Sequence, residues 1–173
     1  MRAFFLWLLI CLFFSCKKED SLFISLKSDK TQIKFQNKLT STTDLNILNY
    51  LYYYNGGGVA TADFNNDGLA DLYFVGNQSE DKLYLNLGDF IFKDITNQSL
   101  IDNSTPWTTG VTTVDINNDG FFDIYICKIG DYNSIKGENL LYVNQGLDSE
   151  GIPAFKEQAA LYGLDIKSFA TQA

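Results

Sequence analysis

The residues best equipped for chemistry in this chain are four oxygen-bearing side chains packed into nine positions. Asp63, Asn65, Asp67 and Asp71 stand at places 1, 3, 5 and 9 of the stretch Asp63–Tyr73, with Gly68 at place 6. The pattern returns 52 residues on, where Asp115, Asn117, Asp119 and Asp123 take the same places around Gly120. Seven of the eleven positions are identical between the copies, including every one of these polar residues and the glycine. Three carboxylates held this close repel one another unless a cation lies between them. An all-oxygen donor set suits calcium, which gathers about 6–8 oxygens, better than magnesium, which keeps its waters. The carbonyls of Leu69 and Phe121, at place 7, are expected to add main-chain oxygens. The glycine is expected to permit a tight turn that a side chain would obstruct.

The flanks decide which kind of calcium loop this is. An EF-hand needs a glutamate at place 12 and a helix on each side, whereas place 12 here is Phe74 or Ile126. The residues after each loop, Leu72-Tyr73-Phe74-Val75 and Ile124-Tyr125-Ile126-Cys127, are aromatic and branched, in strand-length runs. Gly58–Ala62 and Gly110–Val114 precede the loops and also read as strands. Each loop therefore joins two strands. A metal-free Asn-Asp-Gly hairpin turn is the plainer alternative. Two copies with the same ligand places and the same flanks favour calcium.

These two Asp-x-Asn-x-Asp-Gly-x-x-Asp loops, with the Gly58-Val59-Ala60 lead-in, resemble the FG-GAP or VCBS repeats of integrin-like β-propellers. A second shared stretch, Leu83-Tyr84-Leu85-Asn86-Leu87-Gly88 against Leu141-Tyr142-Val143-Asn144-Gln145-Gly146, extends the likeness beyond the loops. More narrowly, the chain is similar to bacterial lipoproteins related to cartilage acidic protein, which carry a C-terminal ASPIC/UnbV domain that is not seen here. The resemblance implies an all-β fold, an incomplete β-propeller of about two four-stranded blades with calcium-loop hairpins. Four strands in each unit of about 52 residues, with turns between them, agree with a propeller blade.

The elements that must position the loops follow in order. Residues 1–15 form an expected lipoprotein signal peptide and 16–30 a polar tether. An N-terminal strand region covers 31–54, with Gln32–Phe35 as a candidate strand. The first repeat spans 55–107 and the second 108–167, while 168–173 resembles the start of a truncated third. The run Tyr52-Tyr53-Tyr54 is expected to pack between sheets. Gly56-Gly57-Gly58 lacks the lysine and hydroxyl of a phosphate loop and precedes a strand, so close backbone passage is expected instead.

The N-terminus carries the second chemical expectation. Met1-Arg2 and an apolar run over 3–14 are too short to span about 30 Å of hydrocarbon as a helix. The run ends at Phe14-Ser15-Cys16, after which the chain turns abruptly polar. Cys16 is thus the expected lipidation site, which implies a bacterial cell envelope location, lipid-anchored to the outer membrane, with the charged stretch after it resembling tethers of surface-exposed lipoproteins. Cys11 falls in the signal, which leaves Cys127 alone as a small hydrophobe without a disulfide partner.

A net charge of −8 opposes nucleic-acid binding. The 173 residues contain no histidine, the commonest general base, and no Gly-x-Ser-x-Gly elbow. The expectation is a non-enzymatic calcium-binding module for adhesion, scaffolding or ligand binding, with two calcium ions, a membrane contact through lipid, and a protein or glycan partner. The alternative is part of a propeller hydrolase or lyase whose catalytic residues lie in further C-terminal sequence.

Overall fold

The computed structural model describes residues 21–102, 107–133 and 135–171. Eight strands alternate with turns: β1 Val59–Ala62, β2 Asp71–Phe74, β3 Lys82–Asn86, β4 Phe92–Asp94, β5 Thr108–Val114, β6 Asp123–Lys128, β7 Leu140–Leu147 and β8 Pro153–Glu157. They form two antiparallel sheets, ordered β1-β2-β3-β4 and β5-β6-β7-β8. Each sheet is a plain meander. Two one-turn helices, α1 at Ser28–Thr31 and α2 at Ala159–Tyr162, flank them.

The register shows that the sheets are copies of one another. Leu72 pairs with Tyr84 and Ile124 with Tyr142, while Asn86 pairs with Phe92 and Asn144 with Phe155. Period-two alternation then sends equivalent side chains to equivalent faces. Tyr73, Leu83 and Leu85 of the first sheet, with Phe64, pack against Ile124, Ile126, Tyr142 and Phe155 of the second. The rings of Phe64 and Phe155 meet edge to face, with centroids 5.9 Å apart. The face of one sheet thus lies on the opposite face of the next, and β1 runs beside β5. On the far side of the second sheet, Leu141 and Val143 are covered by Ala159 and Leu164.

The outer face of the first sheet is covered by the N-terminal segment. Gln32–Phe35 does not enter a sheet, contrary to the sequence reading. Ile33, Phe35, Asn37 and Leu39 are half-buried and their neighbours exposed, because the segment lies on the sheet instead of pairing at its edge. Phe35 stacks on Phe74 at 5.1 Å. The last residues of the expected tether form α1. The outer strand of the first unit is also shorter than the run Phe90–Ile95 suggests. Asp89 and Phe90 take positive φ in the turn, and pairing begins only at Phe92.

The tyrosine run splits between core and surface. Tyr53 is buried beside Trp107, while Tyr52 and Tyr54 are exposed. Tyr53 and Trp107, with Tyr50, Leu45, Ile129 and Ile135, build a second core at one end of the sheets instead of between them. The glycine run behaves as expected at Gly57, where a Cβ would stand 2.0 Å from the carbonyl oxygen of Val75. No helix among the described residues is long and apolar enough to cross a membrane. The expected signal peptide, Cys11 and Cys16 lie outside the described residues.

Candidate metal centre

Both loops sit at the same end of the sheets, between β1 and β2 and between β5 and β6. Their internal hydrogen bonds match one for one. In the first, Asp63 accepts from the N–H groups of Asp67 (3.0 Å) and Gly68 (2.8 Å), and Asp67 accepts from that of Leu69 (2.8 Å). In the second, Asp115 accepts from Asp119 (3.0 Å) and Gly120 (2.9 Å), and Asp119 from Phe121 (2.9 Å). The Asn65 amide donates to Asp67 at 2.9 Å and the Asn117 amide to Asp119 at 2.8 Å. Asn66 and Asn118 have φ of 57° and 58°, and Gly68 and Gly120 have 87° and 88°. The glycine requirement is conformational and not one of space, since a Cβ at Gly68 or Gly120 would meet nothing within 4 Å.

The ninth-place aspartates are built differently from the others. Asp71 and Asp123 are fully buried, and each receives two main-chain N–H bonds. Phe64 (2.9 Å) and Asn86 (2.8 Å) donate to Asp71, while Ile116 (2.9 Å) and Asn144 (2.8 Å) donate to Asp123. The Asp71 carboxyl is raised to about 6: burial is the largest cause, those N–H bonds offset part of it, and the charges of Asp67 and Asp63 add to it. Asp123 is raised in the same way, by burial first and then by Asp119 and Asp115. Each loop therefore gathers three carboxylates near enough to feel one another's charge.

The fit to calcium rests on that crowding and on the donor chemistry. Among the described residues no three Asp, Glu, His or Cys side chains converge as a ready-made cage. The oxygens of Asp63 and Asp115 are turned toward loop N–H groups instead. A carboxylate oxygen has two lone pairs, so a bond to one N–H leaves a site for a cation. Asp63, Asn65, Asp67 and Asp71 would hold an ion in the first loop, and Asp115, Asn117, Asp119 and Asp123 in the second. Leu69 and Phe121 join the loops through their N–H groups.

Residues 63–126 match a family model described as an FG-GAP-like repeat. This stretch is similar to an FG-GAP-like repeat. The match opens on the first aspartate of the first loop and closes in β6, so it takes in both loops and strands β2 to β5 between them. The FG-GAP-like repeat and the two four-stranded sheets agree with an incomplete β-propeller-like fold. A comparison with curated proteins finds no match.

Two groups of partners around the repeat are not evident from residue type. The first is the asparagine closing β3 and its twin in β7. The Asn86 amide donates to the carbonyl of Ala70 (2.9 Å), and the Asn144 amide to those of Phe64 (2.9 Å) and Phe122 (3.4 Å). The repeated Leu-Tyr-x-Asn-x-Gly or Leu-Tyr-Val-Asn-x-Gly strand end was the available signal. The second is a buried charged group between the sheets. Asp81 accepts from the Gly76 N–H (2.9 Å) and the Thr108 hydroxyl (3.1 Å), and the Lys128 ammonium donates to that same hydroxyl (3.1 Å). Burial raises the Asp81 carboxyl and lowers the Lys128 ammonium, and the charge of each partly offsets the other's shift. Cys127 is buried and its thiol pushed up by desolvation, which suits a packing role.

Proposed function

We propose that this chain is a non-catalytic, calcium-stabilised β-propeller-like module, held at a bacterial envelope by lipid on Cys16 and serving adhesion, scaffolding or ligand binding. The observation that carries the calcium reading is the bond-for-bond identity of two acid-rich loops at one end of the molecule. The carboxylates accept N–H groups of the loop and its flanks, yet three held so close repel one another unless a cation lies between them. Calcium, when bound, would supply positive charge to offset them and fix the β1–β2 and β5–β6 connections. The non-catalytic reading draws on the missing histidine and on the engagement of the clustered carboxylates in the loops.

The test is thermal unfolding of the full chain with calcium and with chelator. At free calcium ten times the dissociation constant, each site adds about 1.4 kcal/mol. Asp67→Ala or Asp119→Ala is expected to remove about half of the calcium-dependent rise in Tm. Identical melts with and without chelator overturn the reading. For the anchor, radiolabelled palmitate is expected to label the expressed chain and to fail on Cys16→Ser.

A further inference from the structure

The two loops are wired to each other by a buried path. It starts at the carboxylate of Asp71, which accepts from the N–H of Phe64 at 2.9 Å. The carbonyl of Phe64 accepts from the side-chain amide of Asn144 at 2.9 Å, and the N–H of Asn144 donates to Asp123 at 2.8 Å. Asp71, Phe64 and Asp123 are wholly buried and Asn144 is 1% exposed. A second, exposed bond runs alongside: the amide of Asn66 donates to the carbonyl of Gly120 at 3.1 Å. Gly120 in turn donates its N–H to Asp115. The ninth-place aspartate of each loop is thus two residues away from the other's, through hydrogen bonds with little water around them.

We propose that the two loops fill as one cooperative unit, with Asn144 and Asn66 as positioning residues shared between them. This rests on the calcium reading above. An ion that fixes Asp71 fixes Phe64, and through it the Asn144 side chain whose own N–H orients Asp123. The ordering cost of the second loop is then already met when its ion arrives, which gives positive coupling without a large movement. Low local dielectric strengthens a buried hydrogen-bond chain relative to one in water. Plain electrostatics acts the other way, because a filled loop attracts the next cation less than an empty one. That through-solvent term is screened over about 8 Å at physiological ionic strength, whereas the buried path is not.

The experiment is calcium titration of the full chain by calorimetry at physiological salt. Single-site dissociation constants come from Asp67→Ala, which disables the first loop, and Asp119→Ala, which disables the second. The product of the two stepwise association constants of the unmodified chain is expected to exceed the product of the single-site constants about five-fold. Asn66→Ala, an exposed change, is expected to lower that ratio with both sites still filling, and Asn66→Ala/Asn144→Ser to bring it to one. Asn118→Ala, the equivalent asparagine of the second loop, should leave it unchanged. If the Asn144 variant does not fold by circular dichroism, Asn66→Ala alone must still lower the ratio. A ratio of one or less in the unmodified chain, or an equal ratio in Asn66→Ala, overturns the coupling. Absence of calcium binding in the unmodified chain overturns the calcium reading instead.

Discussion

The first and second repeats share strand order, register and loop bonding, yet they solve one local problem in opposite ways. At the end of β2, the N–H of Gly76 is capped by Asp81 at 2.9 Å; at the matching place in the second repeat, the N–H of Lys128 is capped by Asn139 at 2.9 Å. The buried tyrosine Tyr73 donates to Asp81, while Asn139 donates to its counterpart Tyr125. One repeat uses a buried acid, the other a neutral amide of the same shape. The difference has a cause across the sheet interface. Lys128 occupies the place of Gly76 and sends its ammonium toward the first repeat, and Thr108 at the start of β5 relays it to Asp81. A capping function that needs only an acceptor has been made into a charge pairing between neighbouring sheets.

The comparison is broken most severely by removing one partner. Lys128→Met is expected to destabilise the chain by about 3 kcal/mol, because it leaves the Asp81 charge buried with less to offset it. Adding Asp81→Asn makes the first repeat resemble the second and is expected to restore most of that loss, since a buried pair can often be replaced without net cost. Urea unfolding of the unmodified chain and the two variants measures both steps. A pair that contributes nothing would leave Lys128→Met at the stability of the unmodified chain.

The pH dependence sharpens the same contrast with a smaller effect. Asp81 is raised above 3.8 by burial, so the folded chain holds its proton more readily than the unfolded one. Its contribution to stability therefore falls as pH rises from 3.8 through its folded value. Lys128 is lowered from 10.5, so the folded chain loses that proton first, and stability rises with pH in the window below 10.5. Relative to Asp81→Asn/Lys128→Met, the unmodified chain is expected to show a trough of stability between these two windows. A flat difference curve from urea unfolding across pH would show that the two sites are not desolvated.

The smallest effect tests what covers each outer face. The first sheet is covered by an N-terminal segment through Phe35 on Phe74, the second by residues that follow β8. Phe35→Ala is expected to cost about 1 kcal/mol in urea unfolding, the worth of a stacked aromatic pair. Leu164→Ala should affect only the second sheet, read by slower hydrogen exchange surviving in β2 and β3.

Much of this architecture could be read from the amino acids because the loops repeat. Aspartates at fixed places, a glycine at φ of 87° or 88° and strand-like flanks specify a hairpin loop wherever they recur. The register followed from aligning Tyr84 with Tyr142 and Asn86 with Asn144. Residues 32–35 were misread as a strand because alternation reports that one side is covered, and not whether the backbone pairs. Asp81 and Lys128 carried no local sign of burial; only the stacking of the sheets takes both out of water. The bridging role of Asn144 was equally hidden, since half of it is performed by main-chain N–H, which every residue but proline possesses.

The second repeat is longer than the first between β6 and β7, and the extra residues close over the N-terminal segment. Tyr132 donates its hydroxyl to the carbonyl of Asn49, and Asn133 its amide to that of Asp44 at 3.1 Å. Before that clasp, residues 34–40 are fastened to the first repeat at Tyr84, Asn77, Ser79 and Gln78, with two bonds each between Asn37 and Asn77 and between Thr40 and Gln78. Tension applied from the amino end would accordingly open these fastenings one residue after another before it reached the clasp. The load would then pass straight into the second repeat, leaving the strands of the first unstretched.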